Sequence, residues 1–333
     1  MAGDRWTSEA FHEEVRGWVA EQLKAGGVVL TGEWWQPHVR PWSSAIRLGA
    51  TQGPVWFKAN GPGTRQEPAL LRLLQELVPG LAPEVIAVDP ERGWSLSCDA
   101  GPMLRQVASP TEQWEAWERV LPRYADAQLA VAGDGDAVRV AGVREASPHT
   151  LPAQARALLD ELARRRSGGL DPDQVDRLQE LLPRLDDWCA ELADSGIPSS
   201  LQHDDLHSGN VCVTGPGMRV IDWGDASWGC PLGTMLTTLR SVAHHANLPE
   251  DAAEVRRVRD AYLEPFTSYG VPADLVHWVQ LASRIGCVGK ALAWRAALTG
   301  SPESTSAEYD HPVRGWLLEL REPEEVLGEA AAT

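Results

Sequence analysis

Acidic and amide side chains recur at a fixed spacing near the middle of the chain: Asp205, then Asn210 five residues later, then Asp222 twelve residues beyond that. Phosphoryl transfer from a nucleotide needs a carboxylate that orients the acceptor hydroxyl and takes its proton. It also needs an Asn and a second Asp that hold Mg²⁺ on the phosphates. Two short strand-like runs surround Gly215-Pro216-Gly217. They predict a hairpin that returns Asp222 to the loop carrying Asp205.

Three neighbours of Asp205 in the same loop also carry reactive side chains. Asp204 is adjacent, but Asp205 is the one that stands five residues before Asn210, so Asp204 is left with a supporting role. His203 and His207 are more simply explained as residues that hold the loop by hydrogen bonds. Neither is spaced like a zinc ligand, and the chain has no H-E-x-x-H motif.

The elements that must position these residues change character about a third of the way along the chain. A first helix is predicted over 8–24, and a second over 66–78. Runs of β-prone residues broken by Gly and Pro predict strands at 28–30, 44–48, 54–59, 84–88 and 94–98. After Gly101, apolar residues at helical spacing predict helices at 112–132, 152–166, 172–193, 236–246, 251–268, 273–299 and 312–320. The pattern indicates a small β-rich lobe joined near 98–102 to a larger helical lobe.

The composition limits the partners and the compartment. The 333 residues include 30 basic and 47 acidic side chains, and the net charge of −17 argues against a nucleic-acid ligand. Five cysteines without a C-x-x-C pair favour neither a disulfide framework nor a zinc ribbon, and they suit a reducing cytoplasm. Because the N-terminus lacks a signal-peptide pattern and no run of 18 apolar residues occurs, we expect a cytoplasmic protein without membrane contact.

The run from His203 to Asn210, H-x-D-L-H-x-x-N, together with the later Ile221-Asp222-Trp223, resembles the aminoglycoside phosphotransferase and choline kinase family. This family is the small-molecule branch of the protein-kinase-like fold. The resemblance implies an α+β architecture with a nucleotide-binding N-lobe at 1–101 and a helical C-lobe at 102–333. It also implies ATP and Mg²⁺ as cofactors, Asp205 as the catalytic carboxylate, and Asn210 and Asp222 as metal ligands.

Further residues upstream are similar to the family's nucleotide site. Lys58 follows Val55-Trp56-Phe57, like the nucleotide lysine of the family, and the chain has only two other lysines, Lys24 and Lys290. Glu67 stands where the family keeps the partner of that lysine. A capping box beginning at Thr64 is an alternative explanation of Glu67. The run of Ser97, Cys98 and Asp99 resembles the hinge of the family.

The chain also departs from related patterns. Ser43 and Ser44 stand where protein kinases have a Gly-rich phosphate loop, and we expect them to contact phosphate through hydroxyl or backbone N–H groups. Asp204 occupies a position that is commonly Gly in the family. Thr234 ends a short run, Pro231-Leu232-Gly233-Thr234, that lacks the Asp which many relatives carry. No A-P-E segment follows Asp222, which disfavours a protein substrate.

These observations predict an ATP-dependent kinase that phosphorylates a hydroxyl of a small molecule, such as an aminoglycoside, amino sugar, sugar or amino alcohol. The alternative is a catalytically lapsed nucleotide-binding regulatory protein with the same fold. The sequence leaves the acceptor, the choice between ATP and GTP, and the oligomeric state open. Candidates for the acceptor pocket are Asp204, Asp225, Glu303 or Glu308, Trp223, Trp228, Trp278 and Trp294.

Overall fold

The structure, a computed structural model, describes residues 4–109, 112–165, 168–214, 217–301, 309 and 311–320. Its first part is a five-stranded antiparallel sheet in the order β1-β2-β3-β5-β4. The strands are β1 (Leu30–Arg40), β2 (Ser43–Ala50), β3 (Val55–Asn60), β4 (Val85–Asp89) and β5 (Trp94–Cys98). The helices of this part are α1 (Asp4–Thr7), α2 (Glu9–Lys24) and α3 (Glu67–Leu77).

Because side chains alternate along each strand, one face of this sheet is apolar and the other carries Lys58. Ile46, Phe57 and Leu96 are aligned across β2, β3 and β5, and all three are fully buried in the core that α2 covers. The neighbouring row consists of Ala45, Lys58 and Ser95 and points to the opposite face. The alternation of side chains therefore directs Lys58 away from the apolar core.

The predicted strand at 28–30 was wrong in its extent, because β1 runs over Leu30–Arg40. Gly32 and Pro37 lie inside the strand, and both residue types normally signal a break. β1 is an edge strand, however, and its register with β2 shifts twice. An edge strand with bulges accommodates Pro37, because the missing N–H can face away from the ladder.

The remaining residues are mainly helical, which confirms the predicted α+β kinase-like architecture. The helices are α4 (Leu104–Val107), α5 (Gln113–Val131), α6 (Gly135–Val140), α7 (Leu151–Arg164), α8 (Pro172–Asp194), α9 (Met235–Ala246), α10 (Ala253–Leu263), α11 (Pro272–Ala297) and α12 (His311–Leu318). Short strands β6 (Arg144–Ala146), β7 (Ser200–Gln202) and β10 (Ser227–Gly229) form a second sheet, and β8 (Val211–Thr214) pairs with β9 (Gly217–Val220).

Two local predictions for this part need correction. Residues 133–142, where the sequence predicted neither a helix nor a strand, contain α6, and β6, β7 and β10 were not predicted either. Strands of three residues carry no measurable period, so tertiary pairing determines them. All five cysteines are free, as expected. Within the described part of the chain, no helix is long and apolar enough to cross a membrane.

Candidate active site

The loop between β7 and β8 brings the predicted acidic and amide residues together. β8 and β9 pair with Val211 opposite Val220, and the backbone N–H of Ile221 donates to the carbonyl of Asn210 at 2.9 Å. Asp222 therefore lies directly beside Asn210, as the predicted hairpin requires. Asp222 has a left-handed backbone conformation with φ of 66°, which marks the sharp exit from β9.

Two histidines support this loop, as the sequence predicts. The Nδ1 atom of His203 accepts from the N–H of Asp205 at 3.2 Å, and its Nε2 atom donates to the carbonyl of Ile221 at 2.8 Å. His203 is fully buried, and burial lowers its pKa, so the ring is neutral. His207 accepts from the N–H of Gly209 at 3.0 Å through Nδ1. Both rings therefore stabilise the turn that carries Asp205.

Asp204 replaces the common Gly at a position where the backbone is left-handed, with φ of 62°. Its side chain is 11% exposed and accepts from Ser227 Oγ at 2.5 Å and from Arg144 Nη2 at 3.1 Å. Asp204 therefore anchors the loop to β6 and β10, and its carboxylate is used within the chain.

Asp205 presents a carboxylate that remains ionised. Its Oδ1 atom lies 3.2 Å from Lys290 Nζ, and its Oδ2 atom lies 3.4 Å from His207 Nε2. Burial would raise the pKa of Asp205, but Lys290 and His207 outweigh it and hold the pKa well below its usual range. Sequence reasoning missed Lys290 as a site residue. The available signal was a lone lysine in the apolar helix α11, in a chain with only three lysines.

Lys58 joins β3, α3 and the β9 exit. Its Nζ lies 2.5 Å from Glu67 Oε2 and 2.5 Å from Asp222 Oδ1. Glu67 is 1% exposed and its Oε1 also accepts from the N–H of Trp223 at 2.9 Å. Burial would lower the pKa of Lys58, but Asp222 and Glu67 outweigh it and raise the pKa above its usual value. The predicted ion pair is therefore present, and Gln66 at the start of α3 makes no side-chain cap.

The donor set at Asn210 and Asp222 fits a magnesium ion shared with phosphates. Asn210 Nδ2 donates to the carbonyl of Asp205 at 2.9 Å, so Oδ1 is the side-chain atom that could bind a metal. Burial would raise the pKa of Asp222, but Lys58 outweighs it and the pKa is lowered. Among the residues described, no group of three or more His, Cys, Asp or Glu side chains is arranged to hold a metal. Two hard oxygen ligands match Mg²⁺, which takes its remaining ligands from water and phosphates.

The β1–β2 hairpin holds its two serines inside the sheet. Ser43 is 4% exposed and its hydroxyl bonds His38 Nε2 at 3.1 Å. Ser44 is fully buried, donates to the carbonyl of His38 at 3.1 Å and accepts from Gln36 at 2.9 Å. His38 pairs with Ala45, so it shares the face of Lys58 and is a further polar group of this site that the sequence did not indicate.

The hinge-like residues lie at the end of β5. Asp99 accepts from Trp56 Nε1 at 3.0 Å and from the N–H of Gly101 at 2.7 Å. The N–H of Cys98 donates to Glu84 at 2.9 Å, while Ser97 pairs with Trp56 in the sheet. Burial raises the pKa of the Cys98 thiol. The carboxylate of Asp99 therefore fixes the chain as it leaves the sheet.

A network of buried hydroxyl groups supports the loop of Asp205. Thr234, at the end of the run that starts at Pro231, is 1% exposed. Nearby, Tyr124 accepts from the N–H of His203 at 3.1 Å, and Thr238 donates to the carbonyl of Leu206 at 2.9 Å. Buried hydroxyl groups thus satisfy part of the loop backbone.

The expected acceptor residues are scattered. Trp223 and Trp228 are 1% and 5% exposed, so they are core residues and cannot stack on an acceptor. Trp294 makes an edge contact with Trp42 at 5.4 Å. Trp278 lies against Gly270 near the start of α11. Glu303 and Glu308 lie outside the described residues.

Asp225 stays close to the reacting groups. Burial raises its pKa to about 6, and the neighbouring charges of Asp205 and Asp222 add to this rise, while Lys290 opposes it. Of the described acidic candidates outside the loop of Asp205, Asp225 is therefore the one whose charge interacts with Asp205 and Asp222.

A five-stranded sheet over a helical body, with a Lys–Glu pair and an Asp-Asn-Asp loop, defines the class of protein-kinase-like small-molecule kinases. The chain belongs to the phosphotransferase enzyme family, whose model matches residues 42–269. No curated protein sequence matches the chain.

Solved structures share this fold. A macrolide 2′-phosphotransferase from Brachybacterium faecium is 18% identical, with 89% of this chain and 97% of that chain covered and a TM-score of 0.57. A choline kinase from Cryptosporidium parvum is 13% identical, with 96% and 97% covered and a TM-score of 0.62. A choline/ethanolamine kinase family protein from Mesorhizobium loti is 18% identical, with 96% and 98% covered and a TM-score of 0.60. The likeness at these identities is one of fold, and the family makes the protein a small-molecule phosphotransferase.

Proposed function

We propose that the protein transfers the γ-phosphoryl group of ATP to a hydroxyl group of a small molecule. The observation that carries this proposal is the convergence of Lys58, Asp222 and Asp205 from distant parts of the chain. Lys58 Nζ lies 2.5 Å from Asp222 Oδ1, and the β8–β9 hairpin joins Asp222 to the loop of Asp205. A cation, a metal-binding carboxylate and an ionised acceptor-side carboxylate are the groups that phosphoryl transfer requires.

The donor side is assigned to residues of both lobes. Lys58, oriented by Glu67, would bind phosphate oxygens, and Asn210 with Asp222 would hold Mg²⁺. Bound Mg²⁺ supplies positive charge that neutralises the phosphates and the charge developing during transfer. In this proposal the N-lobe ends near residue 101.

The nucleotide would lie between the phosphate hairpin and the hinge. Ser43 and Ser44 would border its phosphates from the β1–β2 hairpin, where their hydroxyls bond to β1. Ser97, Cys98 and Asp99 would border its base.

The acceptor side is assigned to Asp205. Because its pKa is held low, Asp205 is ionised at neutral pH and accepts a hydrogen bond from the attacking hydroxyl. A carboxylate with a low pKa is a weak base, so it takes the proton late in the reaction. A loose transition state needs little assistance from a base, which suits this arrangement.

The acceptor is proposed to be polyhydroxylated or amine-bearing. The related structures are named for macrolide, choline and ethanolamine phosphorylation, all of small molecules. The acidic chain, with its net charge of −17, and the carboxylate of Asp225 beside the catalytic loop favour a cationic compound. Because ATP is an intracellular donor and the five thiols are free, the proposed location is the cytoplasm.

A coupled assay of ADP release tests this proposal across aminoglycosides, macrolides, hexosamines, other sugars and choline-like alcohols, with casein as a protein control. The Asp205→Asn variant should lower kcat by about 10²- to 10⁴-fold while ATP affinity survives. The exposed Asp194 at the end of α8 offers a matched control, because Asp194→Asn removes the same charge outside the loop. Turnover of casein alone would contradict the assignment of a small acceptor.

Calorimetry separates an enzyme from a lapsed relative. ATP-analogue affinity should fall when EDTA replaces Mg²⁺, since Asn210 and Asp222 act through the metal. Metal-dependent nucleotide binding without turnover of any acceptor would instead favour the nucleotide-binding regulatory protein.

A further inference from the structure

Lys290 is a buried cation that approaches the catalytic loop from α11. It is 6% exposed, and its Nζ donates to the carbonyl of Asp204 at 2.9 Å and to Asp205 Oδ1 at 3.2 Å. The helix around it is apolar, with Val288, Ala291 and Leu292 all buried. A lysine in such surroundings loses its hydration, so it needs well-placed partners to offset that cost.

The contacts of Lys290 distinguish the two oxygens of one carboxylate. Oδ1 of Asp205 faces Lys290, whereas Oδ2 has only long contacts of 3.4 Å to His207 Nε2 and to Asn210 Nδ2. The side chain of Asp205 is 33% exposed, so its outer part is open to a ligand. One oxygen is therefore fixed from inside the protein and the other is left for the acceptor.

The neighbours of Lys290 hold it in this place. The carbonyl of Asp204 also accepts from Thr237 Oγ1 at 3.1 Å, so the backbone that precedes Asp205 is fixed from two helices. On another side, the ammonium lies 5.8 Å from the ring centroid of Trp316 on α12. Such a contact stabilises a cation without competing for Asp205.

We propose that Lys290 is a positioning residue: it holds Oδ1 of Asp205 so that Oδ2 points to the acceptor hydroxyl. This role rests on the proposed function and goes beyond it, because no matched motif includes Lys290. If Lys290 only anchored the loop, its hydrogen bond to the Asp204 carbonyl would be sufficient. The additional contact to Oδ1 fixes the side chain of Asp205, which meets the acceptor.

Steady-state kinetics of K290M test this role. Methionine keeps the length of the side chain and removes the donor, so Asp205 can rotate. A misplacement of about 1 Å costs on the order of 10²-fold in rate, so kcat should fall by about 10- to 100-fold with the KM for ATP unchanged. The matched control is K24M, since Lys24 is exposed at the end of α2 and should leave kcat unaltered. An unchanged kcat in K290M would overturn the proposal.

A double-mutant cycle with Asp205 shows whether Lys290 acts through it. In the D205N background, K290M should cost less than about twofold, because there is no carboxylate left to position. The same 10- to 100-fold loss in both backgrounds would mean that Lys290 acts independently, and the proposal would be wrong. If K290M does not fold, K290Q carries the same cycle, since its amide retains one donor and should show a smaller loss.

A crystal structure of K290M decides the proposal without an activity measurement. The carboxylate of Asp205 should occupy more than one orientation while the loop backbone stays in place. A single, unchanged Asp205 rotamer would refute positioning by Lys290. Absence of turnover in the wild-type protein would refute the proposed function and leave this structural result to decide the role of Lys290.

Discussion

Asp204→Gly places glycine at a left-handed position, where two effects on the backbone oppose each other. A non-Gly residue at φ of 62° carries a strain of about 1 kcal/mol, which Gly removes. Glycine also raises the entropy of the unfolded chain, at a cost of about 0.5–1 kcal/mol. The two backbone effects therefore nearly cancel.

The side-chain contacts of Asp204 then decide the sign. Arg144, which is 20% exposed, would lose its carboxylate partner at 3.1 Å, and the buried hydroxyl of Ser227 would lose its acceptor at 2.5 Å. Among the described residues, the Arg144 Nε atom is already buried without a hydrogen-bond partner. Breaking a buried ion pair costs about 3–5 kcal/mol, and the partial exposure of Arg144 favours the lower end. We therefore expect Asp204→Gly to lower the free energy of unfolding by about 3 kcal/mol.

Urea unfolding followed by circular dichroism measures this loss. Asp204→Asn keeps an acceptor for Ser227 and tolerates the left-handed conformation, so its stability should lie between wild type and Asp204→Gly. In an Arg144→Leu background the cost of Asp204→Gly should shrink, because the ion pair is already absent. A glycine variant as stable as wild type would refute the assignment of Asp204 as a loop anchor.

Three further predictions follow from other contacts. Lys58→Met leaves Glu67 buried without its cation, so it should lower the free energy of unfolding by about 3 kcal/mol at pH 7. The loss should be smaller at pH 5, where that carboxylate can take up a proton. Equal losses in urea unfolding at both pH values would contradict this prediction. Asp225 has a pKa of about 6, so the folded state holds a proton that the unfolded state releases near pH 4, and stability falls as pH rises between these values. Asp225→Asn should therefore be about 3 kcal/mol more stable than wild type at pH 7.5 and no more stable at pH 4, and a constant difference would argue against the shift. Gly63→Ala would place a Cβ against the carbonyl oxygen of Ala296 on α11, so it should lower stability by about 1–3 kcal/mol. Gly17→Ala on α2 meets nothing within 4 Å and should not lower stability, so equal melting temperatures for the two variants would refute the close approach.

Where the site residues lie near each other in sequence, the sequence was sufficient to predict their arrangement. Asp205, Asn210 and Asp222 are linked by one loop and one hairpin, so their spacing already restricts their distances. The order of the strands around Lys58 and the helical pattern of the later residues indicated the architecture. The predicted ends of the strands were less accurate, because Gly32 and Pro37 interrupt the sequence pattern of β1 but not its pairing with β2.

The tertiary structure alone decided the contacts between distant residues. Lys290 is 85 residues from Asp205, and Arg144 is 60 residues from Asp204. Trp223 belongs to the core although its motif suggested a place near the acceptor. The hydrophobic pattern of α11 does not predict which side of the loop the helix will contact, because that depends on how whole helix faces pack together. The sequence by itself predicted which groups we propose for the chemistry, whereas packing determined which cation lies beside Asp205.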